Sequence, residues 1–327
     1  MKAILQTTYG PPEVLRLAEI DTPAPEDNEV RIRVDASTVT AVDCTFRAGK
    51  PFIARLFNGV RRPKHLVPGT EFAGVVDAIG PEVSRFKPGD RVYGTSESFG
   101  AHAEYLCLPE EGATLAHLPE PLNAREAVAS DGFLTALPFL RDAGGITAGQ
   151  KVLVYGASGS VGSAAVQLAR HLGADVTGVC GATNVDLVRS LGAHRVIDYR
   201  TEDYTRTGET WDIIFDTVGK TSFSMSAPVL APRGIFLETT ISTGIMIQML
   251  RTSKSHGRRA KIIFTGMRPG QERTRDLKYI TGLLLSGAIR PVIDRTYPLE
   301  KIAEAHRYVE TGHKKGNVVI TVGHDGG

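Results

Sequence analysis

The sequence predicts an α/β protein that combines a doubly wound parallel sheet with a second, mostly β domain. Three observations lead to this fold class. Up to about Asn123 the chain consists of short alternating strands separated by Gly and Pro, beyond it strands and helices alternate, and a glycine-rich turn joins a buried strand to an amphipathic helix. Strands that alternate with helices pair in parallel through right-handed crossovers, so this second part predicts the doubly wound sheet.

The first part of the chain shows the pattern of a compact β domain. Proline residues fall between its apolar runs, where a missing backbone N–H costs little. The segment Arg47–His65 interrupts the pattern with Phe52, Ile53, Leu56 and Phe57, and is either a mobile flap or a short helix. The predicted strands are Lys2–Gln6, Leu15–Ile20, Glu29–Val39, Glu71–Ile79, Arg91–Gly94 and Ala103–Leu108.

The stretch Lys151–Gly162 reads KVLVYGASGSVG, which predicts a buried strand, a glycine turn and the start of a helix. Its glycines, Gly156, Gly159 and Gly162, follow the spacing G-x-x-G-x-x-G rather than the common G-x-G-x-x-G. The first N–H groups of a helix have no partner within it, and together with the positive end of the helix dipole they attract phosphate. The stretch therefore predicts a cradle for the pyrophosphate of a dinucleotide, with a tight turn that binds no ligand as the alternative.

Strands and helices alternate from Asn123 onward. Asn123 is placed to cap a helix over Arg125–Val128, and Leu134–Leu140 predicts a second helix. Six strands, the number expected for two mononucleotide-binding halves, are predicted at Val152–Tyr155, Val176–Cys180, Arg195–Asp198, Asp212–Asp216, Gly234–Glu238 and Lys261–Thr265. The tail, whose short strands suit the first domain better, has predicted helices at Thr274–Ser286 and Leu299–Glu310 and predicted strands at Val292–Tyr297 and Asn317–Val322.

The composition is that of an ordinary globular protein. Its 327 residues include 42% hydrophobic and 23% charged residues, with a formal net charge of +2, which favours neither nucleic acid nor a membrane as the main partner. Cys44, Cys107 and Cys180 match no disulfide or zinc-ligand spacing, which indicates a reducing, cytoplasmic setting. We also expect a soluble chain, because the sequence has no evident signal peptide and no run of about 18 apolar residues.

Several motifs, taken in order along nearly the whole chain, resemble the medium-chain dehydrogenase/reductases, in their zinc-independent quinone-oxidoreductase-like branch. The resemblance implies a GroES-like catalytic domain of residues 1–124 and 267–327 and a Rossmann dinucleotide-binding domain of residues 125–266. It also implies an active site in the cleft between them and a homodimer. The motifs are Gly10–Leu15, Pro68–Val76, Phe86–Val92, Gly156–Gly162, Ser190–Ala193, Val196–Tyr199, Phe215–Gly219 and Gly312–Val319.

Two positions at which zinc-using relatives carry metal ligands hold threonine in this chain. In those relatives a Cys three residues before an Asp, and the His of a Gly-His-Glu triplet, hold the catalytic zinc. The matching residues here are Thr40, before Asp43, and Thr70. A hydroxyl is a poor substitute for thiolate or imidazole at zinc. The resemblance therefore implies no metal site, and three cysteines cannot form the structural four-cysteine lobe.

The residues after the second predicted strand favour NADPH over NADH. An NAD-specific fold places Asp or Glu about 20 residues after the glycine turn to bind the ribose 2′-hydroxyl. Here Val179–Asn184 reads VCGATN and has no carboxylate. Asn184 is also expected to cap the next helix. The family often places Lys or Arg beside this position and this chain does not, which leaves Tyr199, Arg200 and Arg189 as candidates for the 2′-phosphate; Tyr199 matches a phosphate-contacting tyrosine of the family.

The resemblance implies direct hydride transfer from the nicotinamide to a small electron-poor acceptor, a quinone or an α,β-unsaturated carbonyl compound. By family position, Thr40, Asp43 and Arg47 line the site. Thr40 would donate to the developing oxyanion and Arg47 would steer or polarise the acceptor. The alternatives are that Thr40 ends a strand, Asp43 caps the following helix and Arg47 is a solvated charge. The expected cofactor contacts are Thr135 at the nicotinamide end, Ser158, Gly159, Ser160, Val161, Cys180, Asn184, Tyr199, Asp216 (or a helix cap), Val218, Thr239 and Asn317.

The sequence thus predicts an NADPH-dependent, zinc-independent quinone or enone reductase. A dinucleotide-binding sensor or RNA-binding protein with little turnover is a second reading, for which the basic stretch Arg251–Lys261 is the best support. That stretch lacks the interleaved aromatic residues expected for stacking on single strands. A zinc alcohol dehydrogenase is the third reading.

Overall fold

The computed structural model describes residues 1–324, so the last three residues of the predicted first domain lie outside it. The chain forms two compact units. The first comprises Met1–Ser130, Arg268–Leu285 and the chain from Ile293 onward, and the second comprises Asp131–Met267 and Ser286–Val292. The predicted domains differ from these units in three places, because residues 125–130 lie in the first unit, and residue 267 and residues 286–292 lie in the second.

Fifteen strands and ten α-helices lie within residues 1–324. The strands are β1 (Lys2–Gln6), β2 (Leu15–Glu19), β3 (Glu29–Val39), β4 (Glu71–Ile79), β5 (Arg91–Thr95), β6 (Tyr105–Pro109), β7 (Thr114–His117), β8 (Lys151–Tyr155), β9 (Asp175–Cys180), β10 (Arg195–Asp198), β11 (Trp211–Asp216), β12 (Leu230–Glu238), β13 (Arg259–Lys261), β14 (Ile293–Pro298) and β15 (Asn317–Thr321). The helices are α1 (Ala41–Ala48), α2 (Ile53–Asn58), α3 (Ala124–Val128), α4 (Asp131–Pro138), α5 (Ser160–His171), α6 (Val185–Ser190), α7 (Phe223–Ser226), α8 (Thr243–Thr252), α9 (Gly270–Leu285) and α10 (Ile302–Glu310).

The first unit is built on a sheet whose strand order is β14-β15-β3-β4-β5-β7, with β6 pairing with β3. β1 and β2 form a separate antiparallel pair. Val30, Ile32 and Val34 alternate along β3 and are fully buried, which is the period of a strand with one face on a core. β15 pairs with β3 in antiparallel orientation, so the tail of the chain belongs to this unit.

The second unit is a six-stranded sheet in the order β10-β9-β8-β11-β12-β13, and all its neighbouring strands are parallel. The predicted doubly wound sheet is therefore confirmed. The strand order reverses between β8 and β11, and ligands of such sheets bind outside the carboxyl ends of the strands at this point. Among the described residues, the helices include none that is long and apolar enough to cross a membrane.

Three elements, β7, β13 and α4, differ from those the sequence predicts. The strand predicted at Lys261–Thr265 lies at Arg259–Lys261, where three residues pair with β12. Of the apolar residues after it, Ile262 is buried but Phe264 is 40% exposed, so this run marked neither a paired nor a fully buried strand. β7 was not predicted. For Arg47–His65 the short-helix reading is confirmed, because this segment holds the end of α1 and all of α2. The helix predicted at Leu134–Leu140 begins at Asp131 and passes after Pro138 into a π-helical turn, in which the Gly144 N–H donates to the Phe139 carbonyl.

Candidate functional site

Gly156 and Gly162 are required by the packing of the turn between β8 and α5. Gly156 has φ of +81°, and a Cβ on it would lie 2.6 Å from a methyl carbon of Val218. A Cβ on Gly162 would lie 2.7 Å from the carbonyl carbon of Gly156. The N–H groups of Gly156 and Ala157 both donate to the Val179 carbonyl at 3.0 Å, which holds the turn against β9. A side chain at either glycine would therefore displace backbone or a neighbouring strand end.

Gly159 differs, because protein packing does not require it. The heavy atom nearest to a Cβ built on Gly159 is the Gly156 carbonyl oxygen at 3.5 Å, an ordinary contact distance. Gly159 is the N-cap of α5 and has no side chain with which to cap this twelve-residue helix. Ser160 and Val161 follow as its first two residues. Open space at an uncapped helix N-terminus fits a dinucleotide pyrophosphate, which would fill the place of the missing side chain.

Two of the predicted cofactor contacts, Cys180 and Asn184, lie at and just after the end of β9. Cys180 is its last residue and is buried, and burial together with the Asp198 carboxylate raises the pKa of the thiol to about 11. Asn184 precedes α6 but makes no capping hydrogen bond, so the predicted cap is wrong. An N-cap residue typically has an extended backbone, and the backbone of Asn184 (φ −116°, ψ 1°) is not extended. Instead its Nδ2 donates to Ser158 Oγ at 3.0 Å, which ties the segment after β9 to the glycine turn.

Tyr199 presents a hydroxyl beside the backbone that follows Cys180. Its side chain is 48% exposed, and its hydroxyl oxygen lies 3.5 Å from the position of a Cβ on Gly181. The Arg200 guanidinium carbon lies 5.9 Å from the centre of the tyrosine ring. A phenol and a cation are thus close together, and both are suited to a phosphate group.

Two carboxyl groups lie side by side at the carboxyl edge of the parallel sheet. Asp216, which ends β11, is fully buried and accepts hydrogen bonds from the N–H groups of Val218 (2.9 Å), Gly219 (2.8 Å) and Thr221 (2.8 Å). Burial raises the pKa of Asp216 against these hydrogen bonds. Glu238, which ends β12, is its partner in the strand register, and burial and the Asp216 carboxylate raise the pKa of Glu238 to about 7. Asp216 therefore shapes the loop after β11, and Glu238 exchanges its proton near neutral pH.

The remaining predicted cofactor contacts have different surroundings. Thr135 lies half-buried in α4, and α4 approaches the start of α5 so closely that a Cβ on Gly132 would lie 2.6 Å from the Ser160 carbonyl oxygen. Val218 is exposed, and the Thr239 N–H donates to the Asp216 carbonyl at 3.1 Å. Asn317 belongs to the first unit, where it is buried and its Nδ2 donates to the Ala129 carbonyl at 2.8 Å.

Thr40 and Asp43 form the capping box of α1 in the first unit. The Asp43 N–H donates to Thr40 Oγ1 at 3.2 Å, and Asp43 Oδ2 accepts from the Thr40 N–H at 2.8 Å and from the Thr40 hydroxyl at 2.6 Å. The alternative weighed for Asp43, that it caps the following helix, is thus confirmed. Thr40, whose alternative was to end a strand, lies one residue after β3 and is the N-cap of α1. The single hydroxyl proton of Thr40 is already donated to a carboxylate, so Thr40 must release Asp43 before it can donate to a substrate.

A second hydroxyl and carboxyl cluster surrounds Glu71. Glu71 is buried, its Oε1 accepts from the Thr70 hydroxyl and its Oε2 accepts from the Thr38 hydroxyl, both at 2.8 Å. Burial, followed by the Asp43 charge, raises the pKa of Glu71 to about 7. Thr70 is half-buried, so its hydroxyl joins a buried carboxyl to the surface of this unit.

Arg47 is a buried residue with a partner inside the same unit. Its side chain is 2% exposed, and both terminal nitrogens donate to the carboxylate of Glu310 at the end of α10. Its backbone carbonyl accepts from Gln6 Nε2 at 2.9 Å. Arg47 is therefore not a solvated surface charge, and its guanidinium joins α1 to α10.

The donor set of this cluster suits protons better than a metal ion. Thr40 and Thr70 both direct their hydroxyls at carboxylates, and within residues 1–324 no group of three or more His, Cys, Asp or Glu side chains is arranged as a metal site. Cys44 contacts His306 Nδ1 at 3.4 Å in the core, and burial raises the pKa of its thiol to about 12. The nearby thiol is thus held in its neutral form.

Sequence reasoning missed Glu71, Glu238 and Glu310. For the first two a signal existed, because each is a charged residue at one end of an apolar run, Glu71 before Phe72–Val76 and Glu238 after Ile235–Leu237. A carboxyl in that position is either exposed at the strand end or buried beside a partner that compensates its burial. Glu310 gave no such signal, because nothing local distinguishes it from the other charges of α10.

Comparison with known proteins agrees with this geometry. A family model described as alcohol dehydrogenase GroES-like domain matches residues 26–120, and one described as zinc-binding dehydrogenase matches residues 191–320. Pig (Sus scrofa) quinone oxidoreductase is 33% identical, and the match covers 94% of this chain and 93% of the pig protein. The chain belongs to the medium-chain dehydrogenase/reductase superfamily, in its quinone-oxidoreductase-like branch.

Solved structures show the same fold. The quinone oxidoreductase of Coxiella burnetii has a TM-score of 0.88 at 28% identity, over 99% of both chains. The Escherichia coli quinone oxidoreductase, solved in complex with NADPH, has a TM-score of 0.84 at 26% identity, over 98% of this chain and all of the other. The predicted pairing of a Rossmann sheet with a GroES-like domain is confirmed.

Proposed function

We propose that this protein is a reductase that transfers a hydride from NADPH to a quinone or an α,β-unsaturated carbonyl compound, without a metal ion. The observation that carries the proposal is the cradle at Gly159, which is open where packing at Gly156 and Gly162 is closed. The names of the pig and bacterial relatives support a quinone as the acceptor. The cofactor supplies the hydride, and the chain binds and orients the cofactor, holds the acceptor and supplies a proton.

The preference for NADPH is supported by the end of β9. The residues from Cys180 to Asn184 include no Asp or Glu that would bind a ribose 2′-hydroxyl and repel a 2′-phosphate. Tyr199 and Arg200 offer a hydroxyl and a cation in the same region. The bacterial relative solved with NADPH points the same way.

Metal-free chemistry is supported by the two threonines at the positions where zinc-using relatives carry metal ligands. Thr40 and Thr70 engage the carboxyl groups of Asp43 and Glu71 through 2.6 and 2.8 Å hydrogen bonds. A hydroxyl without thiolate or imidazole beside it binds zinc poorly. Zinc analysis of purified protein tests this directly, and one tightly bound zinc per chain would refute it.

The proton for the reduced acceptor comes, in this proposal, from Glu71 through Thr70. When Glu71 is neutral, its O–H donates to the Thr70 oxygen and the Thr70 hydroxyl is free to donate outward. After hydride transfer the acceptor oxygen takes the Thr70 proton, Thr70 takes the Glu71 proton, and the Glu71 carboxylate is reprotonated from water. The turnover number should then fall above pH 7 in the wild type, and Glu71→Gln should lower turnover and remove this pH dependence.

The central experiment measures NADPH and NADH oxidation in parallel across quinones, enones and alcohols. Gly159→Leu should weaken NADPH binding at least tenfold and leave the unfolding temperature unchanged. Gly266→Leu is the matched control, because a Cβ on Gly266 meets nothing within 4 Å and is therefore as unhindered as one on Gly159. Equal use of NADH would refute the NADPH preference. No oxidation with any electron-poor acceptor would refute the reductase and favour a dinucleotide-binding sensor.

We also propose a homodimer, by analogy with the family. Light scattering coupled to size-exclusion chromatography measures the mass in solution, and a particle of 35.2 kDa would refute it.

A further inference from the structure

The short helix α2 exposes an apolar face on the first unit. Ile53, Leu56 and Phe57 follow helical spacing on one side, and Leu56 and Phe57 are 63% and 60% exposed. Phe52, just before the helix, is 60% exposed, whereas Asn58 on the opposite side is buried. Large apolar side chains that cluster on a surface mark an interaction site more often than isolated ones do.

Hydrogen bonds on the side of α2 away from the apolar face hold this segment on the first unit. The Tyr9 hydroxyl donates to the carbonyls of Asn58 (3.0 Å) and Gly59 (2.5 Å). Arg55 Nε donates to the Gly49 carbonyl at 3.0 Å, and the Arg55 guanidinium carbon lies 4.7 Å from the centre of the Tyr9 ring. The helix is therefore held on the unit by its polar side, while its apolar face is left uncovered.

The same segment carries a concentrated positive charge. Between Ala48 and Thr70 the sequence contains five Lys or Arg residues and no Asp or Glu. Four of the five are exposed: Lys50, Arg61, Arg62 and Lys64. Arg55 is half-buried. The net charge of +2 for the whole chain, from which the sequence predicts no membrane partner, conceals this local excess. We call the exposed cations together with Phe52, Ile53, Leu56 and Phe57 the α2 patch.

We propose that the α2 patch docks the protein on the surface of an anionic membrane. The apolar side chains would enter the boundary between headgroups and acyl chains, and the surrounding cations would contact lipid phosphates. An acidic protein partner would use the cations but would leave the phenylalanine and leucine side chains without an apolar environment. The biological purpose of this docking rests on the proposed function, because an apolar quinone acceptor stays in the bilayer. The test of docking does not depend on that function.

The test is sedimentation of the full chain with vesicles of phosphatidylcholine alone or mixed with phosphatidylglycerol, without cofactor or acceptor. We expect binding to the mixed vesicles that weakens with added salt. The triple variant Arg61→Ser, Arg62→Ser, Lys64→Ser should lower the partition coefficient about 100-fold, because each cation contributes about fivefold. The double variant Leu56→Ser, Phe57→Ser should lower it at least tenfold.

Matched variants carry the same changes elsewhere. Arg251→Ser, Lys254→Ser, Arg259→Ser removes three exposed cations of the other basic stretch, and Leu17→Ser, Phe264→Ser removes an exposed leucine and an exposed phenylalanine. Both should bind mixed vesicles like the wild type, and thermal unfolding checks that every variant is folded.

Several results would overturn the docking proposal. They are equal binding to both vesicle types, binding unchanged in the patch variants, and binding to soluble polyglutamate that does not depend on Leu56 and Phe57. Loss of turnover with a water-soluble quinone in the double variant, with vesicle binding intact, would assign the patch to the acceptor site instead. Because vesicle binding needs no cofactor, failure of the reductase proposal leaves this test interpretable.

Discussion

The buried carboxyl of Glu71 predicts that folding stability falls as the pH rises from acidic to neutral values. Its burial raises the pKa from the ordinary 4.5 to about 7, with the Asp43 charge as the next cause. Below pH 4.5 the carboxyl is protonated in both the folded and the unfolded chain. Between the two pKa values only the unfolded chain ionises, which favours unfolding, and above pH 7 the difference stays constant.

The size of the effect follows from the same two pKa values. Each pH unit between them lowers the free energy of unfolding by about 1.4 kcal/mol, so the total loss is about 3 kcal/mol. Glu71→Gln has no proton to lose but keeps the shape of the side chain. The free energy of unfolding of wild type relative to Glu71→Gln should therefore be about 3 kcal/mol lower at pH 8 than at pH 4.5.

Urea unfolding followed by circular dichroism at both pH values measures this difference. The exposed Glu82→Gln is the control, and its difference from the wild type should not change with pH in this way. If the difference between wild type and Glu71→Gln stays constant to within about 1 kcal/mol, the folded protein stabilises the Glu71 carboxylate as well as water does, and the reasoning fails.

Three further predictions follow from the site geometry. Gly162→Ala, whose Cβ would press on the Gly156 carbonyl group, should lower the unfolding temperature and abolish NADPH binding, as measured by calorimetry with and without NADPH. Asp216→Asn should move the pKa of Glu238 from about 7 toward its ordinary value, because Asp216 is one of the two causes of the shift; carbon NMR of the carboxyl measures this. Glu310→Ala should destabilise the fold more than Arg47→Met, by about 3 kcal/mol against about 1, because it removes both acceptors of a buried guanidinium. Equal losses in urea unfolding would contradict the last prediction.

The parts of the structure that were predictable are those with a short-range cause. The glycine turn was predictable because Gly156 has a positive φ and Gly162 meets the carbonyl group of Gly156 within the same turn, whereas the contact of Gly156 with Val218 comes from a distant strand end. The capping box of Thr40 and Asp43 was open to prediction because its spacing of three residues lies within one turn of helix. The doubly wound sheet followed from the alternation of strands and helices, which repeats along the chain.

The parts that were not predictable depend on pairing between distant strands and helices. Thr38 and Glu71 meet because β3 and β4 are neighbours, and Asp216 meets Glu238 through the register of β11 and β12. Arg47 was expected to face solvent or substrate, but its partner Glu310 lies 263 residues further along the chain. No local pattern carries such information, so the burial of these residues and the identity of their charged partners could be read only from the fold.

One ionisation connects the stability of the first unit with its proposed chemistry. A neutral Glu71 can donate to the Thr70 oxygen and so release the Thr70 hydroxyl proton, whereas an ionised Glu71 accepts that proton for itself. The stability of the wild type should therefore stop falling at the same pH at which proton supply fails, near 7. If stability and turnover change at the same pH in the wild type, and Glu71→Gln loses both pH dependences, then a single carboxyl causes both. A turnover profile whose pKa lies elsewhere would place the proton donor outside the Thr38, Thr70 and Glu71 cluster and leave the stability argument standing.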